Sequence, residues 1–150
     1  MIEGLTRNAA RNIFFGGSLF FFVVFVALTL HSHYYIVTTS TDHEGITESV
    51  TMGKKVWEEN SCINCHSLLG EGAYFAPELG NVWVRFGGRD SPEGARMALK
   101  TWMKTQPTGI PGRRQMPQFN LSEEELDALV DFLKWTSEID TQGWPPTNAG

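Results

Sequence analysis

Hydrophobic positions along the chain follow two different patterns. Residues 13–30, IFFGGSLFFFVVFVALTL, contain no charge and leave no polar helical face. At about 1.5 Å per residue this run would span roughly 27 Å as a helix, close to the hydrocarbon thickness of a bilayer. A buried core helix would keep a polar side. A secretory leader has a shorter apolar stretch and a small-residue cleavage site, and Ala27-Leu28-Thr29 matches such a site poorly. The run therefore predicts an uncleaved transmembrane anchor. Arg7 and Arg11 precede it, whereas residues 31–41 hold no Lys or Arg. That asymmetry predicts residues 1–12 in the cytoplasm and residues 31–150 exported. Gly16, Gly17 and Ser18 would let a second membrane helix approach closely, or they reflect no more than the frequency of Gly in such helices.

After the anchor the pattern changes to amphipathic spacing. Residues 31–47, rich in Thr and His and without periodicity, predict a stalk with Tyr34 and Tyr35 at headgroup level. Val50, Gly53, Val56 and Trp57 recur at helical intervals between Glu48 and Asn60. Ser91-Pro92 reads as an N-cap followed by a first-turn proline, opening a helix with Ala95, Leu99, Trp102 and Met103 that stops before Pro107. Ser122 and Glu125 form a capping box ahead of the stripe Leu126, Leu129, Val130, Leu133 and Ile139. The acidic positions from Glu123 to Asp131 read as that helix's solvated face. Only Asn81–Phe86 resembles a strand, and nothing repeats. The expected fold is mainly α: one N-terminal transmembrane helix, then a helical domain over 48–140 and a Gly/Pro-rich tail over 141–150.

Charge supports that partition. The 150 residues carry 12 basic and 17 acidic side chains, a net of −5. The acidic balance and the lack of a basic stripe exclude a nucleic-acid partner. Two cysteines are too few for a disulfide framework.

Both cysteines fall in Cys62-Ile63-Asn64-Cys65-His66, the C-x-x-C-H signal for covalent attachment of a c-type haem. Two thiols at this spacing can bond the two vinyl groups, and the next residue then lies beneath the iron as its axial histidine. A thioredoxin-like redox pair would need a βαβ surround, and no strand precedes Cys62. Contiguous Cys-His makes poor tetrahedral zinc geometry, and the other histidines lie in the stalk. A sixth iron ligand decides between electron transfer and ligand chemistry, and Met favours the former. Met1 lies on the wrong side of the membrane, Met52 sits in the first soluble helix, and Met97 and Met103 occupy helical positions that packing explains. Met116 alone lies in a loop, stiffened by Pro117. The layout suits a class I cytochrome c-like domain, with Gly53 and Trp57 crossing the last helix near Phe132 and Trp135. Arg113 and Arg114 read either as haem-edge groups or as a solvated pair.

Three stretches together resemble the small, haem c-bearing component of bacterial cytochrome c-dependent nitric oxide reductase. They are RNIFFGG at 11–17, CINCHSLLGEGAYFAPELGN at 62–81 and MPQFNL at 116–121, with Lys134-Trp135-Thr136 and Gly143-Trp144-Pro145-Pro146 near the end. The resemblance implies a single-pass protein of the bacterial inner membrane with its haem domain in the periplasm. Such a protein takes single electrons from a periplasmic cytochrome c or cupredoxin. It passes them to a large subunit holding haem b and a haem b3–non-haem iron centre, where two NO, two electrons and two protons give N2O and water. Cys62 and Cys65 would then hold the porphyrin, and His66 and Met116 the iron. The 70–81 loop would face the large subunit, with Gly72 and Tyr74 as candidate ligands of an interface calcium. The rival readings are a free-standing anchored cytochrome c that feeds a terminal oxidase, and a haem sensor or an enzyme binding NO at its own haem c.

Overall fold

The computed structural model describes residues 4–143, which divide into two compact units, one ending at Ser40 and one beginning at Thr41. The first unit is a single helix. Thr6 caps it by accepting from the Ala9 amide at 3.2 Å, and α1 then runs over Arg7–Tyr35 and continues as a wider π-wound turn over Ile36–Ser40. None of the α1 residues is buried, and Phe14, Phe20, Phe22 and Phe25 are all more than 60% exposed. This length and composition make α1 a candidate membrane span. The helix outlasts the apolar run, so the expected irregular stalk is helical from His31 to Ser40. Threonine hydroxyls return to carbonyls four residues back, Thr29 on Phe25 and Thr38 on Tyr34, both at 2.8 Å, local bonds that pair the hydroxyls without strengthening the helix. The winding widens across Ile36-Val37-Thr38-Thr39, where four successive β-branched side chains crowd the preceding turn.

In the second unit α2 (Glu48–Glu59), α3 (Val82–Arg85) and α4 (Pro92–Lys104) all pack on α5 (Glu123–Glu138). Thr47 caps α2, and Ser122 and Glu125 complete the capping box that begins α5. The α2–α5 crossing is the closest approach. A Cβ on Gly53 would lie 2.0 Å from the Ala128 carbonyl oxygen and 2.7 Å from the Phe132 Cβ. With no side chain at Gly53 the backbones meet. Trp57, one turn on, sets its ring 6.3 Å from that of Phe132, which in turn stacks on Trp135 at 6.5 Å. Trp135 also donates its indole N–H to the Asp42 carbonyl at 2.9 Å, tying the segment before α2 to the same helix.

Two further expectations change. Residues 82–85 form a helical turn, not a strand: no strand pairs with them among the described residues, Val82 and Trp83 are buried, and Gly88 packs against the Trp83 ring. The acidic face of α5 is not simply solvated. Arg96, Lys100 and Lys104 on α4 stand at four-residue spacing against Glu123, Asp127 and Asp131, which run in the opposite direction. Arg96 bonds Asp127 at 3.2 Å and also Asp131, Lys100 bonds Asp127 at 2.8 Å and Glu123 at 3.1 Å, and Lys104 reaches Glu123. Hydrogen bonds from Lys100 hold the Asp127 carboxyl below its ordinary range, and those from Lys104 and then Lys100 do the same for Glu123. Partial burial opposes the Arg96 charge, yet Asp131 and Asp127 outweigh it and raise its pKa. Exposed pairs are worth at most about 1 kcal/mol each. This ladder therefore sets the register of α4 on α5 more than it adds stability.

The crossing yields a direct test. Gly53→Ala should destabilise the second unit by about 2 kcal/mol or more, since the added methyl group meets backbone that cannot move aside. Chemical unfolding of the full chain in detergent, followed by Trp fluorescence, should show an earlier transition. An unchanged midpoint would mean that the two helices do not meet at this residue.

Candidate functional site

At the end of α2, Asn60 caps the helix and Ser61 takes the left-handed region at φ 53°, turning the chain into a 3-10 turn over Cys62–Asn64. The His66 amide closes on the Cys62 carbonyl at 2.9 Å, which sets Cys62, Cys65 and His66 around one turn. Neither thiol is in a disulfide, and both are half-buried. Burial pushes the Cys62 thiol up to about 11, and Cys65 adds to the rise. The His66 Nδ1 lies 2.7 Å from the Pro77 carbonyl oxygen. A carbonyl can only accept, so Nδ1 carries the proton and Nε2 is the free coordinating nitrogen. The Trp57 ring, fixed by the helix crossing, stands 6.5 Å from the imidazole.

Ser67–Leu68 (β1) and Glu71–Gly72 (β2) pair as a minimal antiparallel hairpin. Leu69 and Gly70 form its turn with φ of 52° and 87°, the two positive angles of a type I′ turn. Gly72 packs against the haem motif: a Cβ there would sit 2.4 Å from the His66 carbonyl oxygen. Tyr74 is 74% exposed and donates its hydroxyl to the Gly70 carbonyl at 3.2 Å. The chain then returns alongside the motif, Ala76 N–H to Cys65 O at 2.8 Å and Leu79 N–H to Ser67 O at 2.9 Å.

Met116 is half-buried in the connection from α4 to α5, and three polar neighbours hold its flanks. Gln118 donates to the Lys104 and Gln106 carbonyls at 2.9 and 3.1 Å, at the C-terminal end of α4. Gln115 donates to Ile110 and Arg113 carbonyls and accepts from Thr108 and Gly109, folding the loop on itself. Arg114 donates to the Phe75 carbonyl and lies 4.6 Å over the Phe75 ring. The methionine loop is thereby attached two residues from Pro77, which holds His66. Both arginines are exposed, and Arg114 is also a structural tie to Phe75. Met103 packs against the core as expected, but Met97 is 67% exposed, so packing does not account for it. Met1 and the Trp144-Pro145-Pro146 stretch lie outside the described residues. Gln115, Gln118 and Glu78 carried no sequence signal that marks them. Each works through backbone partners brought close only by folding.

A cytochrome c family signature covers residues 50–137. Over all 150 residues the chain is 62% identical to the C subunit of nitric oxide reductase from Halomonas halodenitrificans, 59% to its counterpart from Paracoccus denitrificans and 57% to that from Stutzerimonas stutzeri. Each alignment spans the whole of both chains. The chain belongs to the family of nitric oxide reductase C subunits. Its cytochrome c domain carries covalently bound haem c, and the donors in this site fit that group. Two unpaired thiols three residues apart precede a histidine whose Nδ1 is already committed, and a thioether lies on a loop tied to the same segment. Among the described residues no group of three or more His, Cys, Asp or Glu side chains is arranged for a metal ion.

Replacing Cys62 and Cys65 together with Ala should abolish covalent haem staining of the chain on a denaturing gel and leave a poorly stable apoprotein. Normal staining of the double variant would disprove attachment at these two thiols.

Proposed function

We propose that this chain is the electron-entry component of nitric oxide reductase, with Cys62 and Cys65 anchoring haem c and His66 and Met116 as its axial ligands. The observation that carries the reading is the tie between two loops: Arg114 fastens the segment of Met116 to the segment whose Pro77 carbonyl orients His66. Haem c supplies a one-electron ferric–ferrous couple. The protein's part would be to hold the ring through Cys62 and Cys65 and to offer the His66 imidazole and the Met116 thioether to the iron. With Met116 on the iron, a sensor or an NO-binding enzyme would be disfavoured, and family membership disfavours a free-standing carrier that feeds a terminal oxidase.

The same reading extends to topology and partners. Residues 1–12 lie in the cytoplasm, 13–30 cross the inner membrane once, 31–47 lead out, and 48–140 form the haem domain on the periplasmic side, followed by the 141–150 tail. The paucity of Lys and Arg after the span supports this orientation. Electrons enter from a periplasmic cytochrome c or cupredoxin and leave to a large subunit with haem b and a haem b3–non-haem iron centre. The 70–81 loop faces that large subunit, where the Gly72 and Tyr74 carbonyls help to bind an interface calcium. A periplasm-dependent reporter fused after Gly150 should be active, and an intact but inactive fusion would reverse the orientation.

Met116→Ala should keep haem attached yet turn the ferric iron largely high-spin and lower its potential, because Met ligation favours the reduced state. Each loss of about 59 mV shifts a one-electron equilibrium about tenfold. NO reduction driven by a high-potential donor should collapse, while reduction by an artificial reductant that reaches the large subunit directly should survive. A variant that keeps its low-spin spectrum and potential would remove Met116 from the iron.

A further inference from the structure

In the 70–81 loop, whose other acid, Glu71, is exposed, Glu78 is a buried acid. It is 6% exposed, and its carboxylate accepts three backbone N–H groups: Leu69 at 2.8 Å and Gly80 at 2.8 Å on one oxygen, Gly70 at 3.4 Å on the other. Two of these donors come from the I′ turn. Successive amides in a turn with positive φ converge into a concave anion site, and Leu69, a non-glycine residue in the left-handed region, needs such compensation. Gly80 has no room for a side chain, since a Cβ there would meet Glu78 Oε1 at 2.9 Å. Arg85 secures the same residue from α3 by donating to the Glu78 carbonyl. Burial lowers the Arg85 pKa, and the Glu78 charge partly restores it.

The position of this clamp matters more than its strength. Glu78 directly follows Pro77, whose carbonyl holds the His66 Nδ1–H. Leu69 and Gly70 lie three and four residues after His66. The carboxylate therefore bolts the returning segment to the turn that follows the histidine, closing a ring of contacts that includes the Pro77–His66 bond.

We propose that Glu78 is a positioning residue for the axial histidine: by clamping residues 77–80 onto the 69–70 turn it keeps the Pro77 carbonyl on His66 Nδ1 and so tunes the haem c reduction potential. This inference rests on His66 being an iron ligand. A hydrogen bond from Nδ1–H to a fixed acceptor raises the basicity of Nε2 and strengthens its donation to the metal, which favours the ferric state. A buried negative charge nearby acts in the same direction. Release of the clamp thus raises the potential, opposite in sign to loss of Met116.

The test uses the full, haem-loaded chain in detergent, as Glu78→Ala and Glu78→Gln. The glutamine keeps the volume and one acceptor oxygen, loses the charge and sets an amide N–H2 towards the Gly70 N–H. Two readouts apply: the haem c midpoint potential, and the hydrogen-exchange rate of the His66 Nδ1–H in the ferrous protein. Both variants should shift the oxidised-to-reduced ratio about tenfold or more towards reduced, a rise of about 59 mV, with the low-spin spectrum intact. Exchange of the Nδ1–H should quicken at least about tenfold in Glu78→Ala. Should the alanine variant fail to fold, Glu78→Gln carries both measurements. A folded variant with the parent's potential overturns the proposal, and so does a raised potential with parental Nδ1–H exchange, which would reduce Glu78 to a distant charge. An iron-bound His66 signal in the parent distinguishes either failure from failure of the ligand assignment itself.

Discussion

Gly53 lies against the Ala128 carbonyl, and the rest of the haem-bearing domain takes its geometry from that contact. A side chain at this point would push α2 off α5. With glycine there, α2 descends close enough for Trp57 to reach both Phe132 and the neighbourhood of His66. The helix then delivers its C-terminus, and with it Cys62, Cys65 and His66, to a fixed place beside the helix on which α3 and α4 also pack. One methyl-sized restriction thus joins the packing of the domain to the placement of its chemistry.

From there the site is built mostly by backbone. His66 is aimed by the Pro77 carbonyl, the segment carrying Pro77 is held by Cys65 and Ser67 carbonyls, and the turn between them is stabilised by the Glu78 carboxylate. The side chains that position Met116 also bond to backbone: Gln118 to the end of α4, Gln115 within its own loop, Arg114 to Phe75. This economy suits an electron carrier. Small reorganisation between oxidised and reduced states needs ligands held from several directions, and backbone carbonyls on packed segments move less than exposed side chains.

The α4–α5 charge ladder plays a different part. Three cations and three anions at matched four-residue spacing are all paired in the antiparallel register observed, and a slip of one turn would leave a charge at each end unpaired. The 105–122 loop between those helices carries Met116, so the register also sets where the loop begins and ends. Weak surface pairs thereby influence the site by fixing its endpoints.

Much of this was legible in one dimension. The uncharged run at 13–30 follows from bilayer thickness, the three amphipathic helices from their 3.6-residue period and caps, and the haem from a five-residue motif whose spacing chemistry dictates. The Gly53 crossing was readable because a glycine inside an apolar stripe has few other uses. What local pattern misjudged were segments whose state depends on distant partners. Residues 31–40 lack apolar periodicity yet continue the helix that precedes them, Asn81–Phe86 has strand-like residues but pairs with neither β1 nor β2, and the acids of α5 looked solvated until α4 brought three cations beside them. Glu78, Gln115 and Gln118 were invisible for the same reason. A polar side chain that bonds backbone several residues away leaves no period and no motif, so its role exists only once the tertiary fold has brought donor and acceptor together.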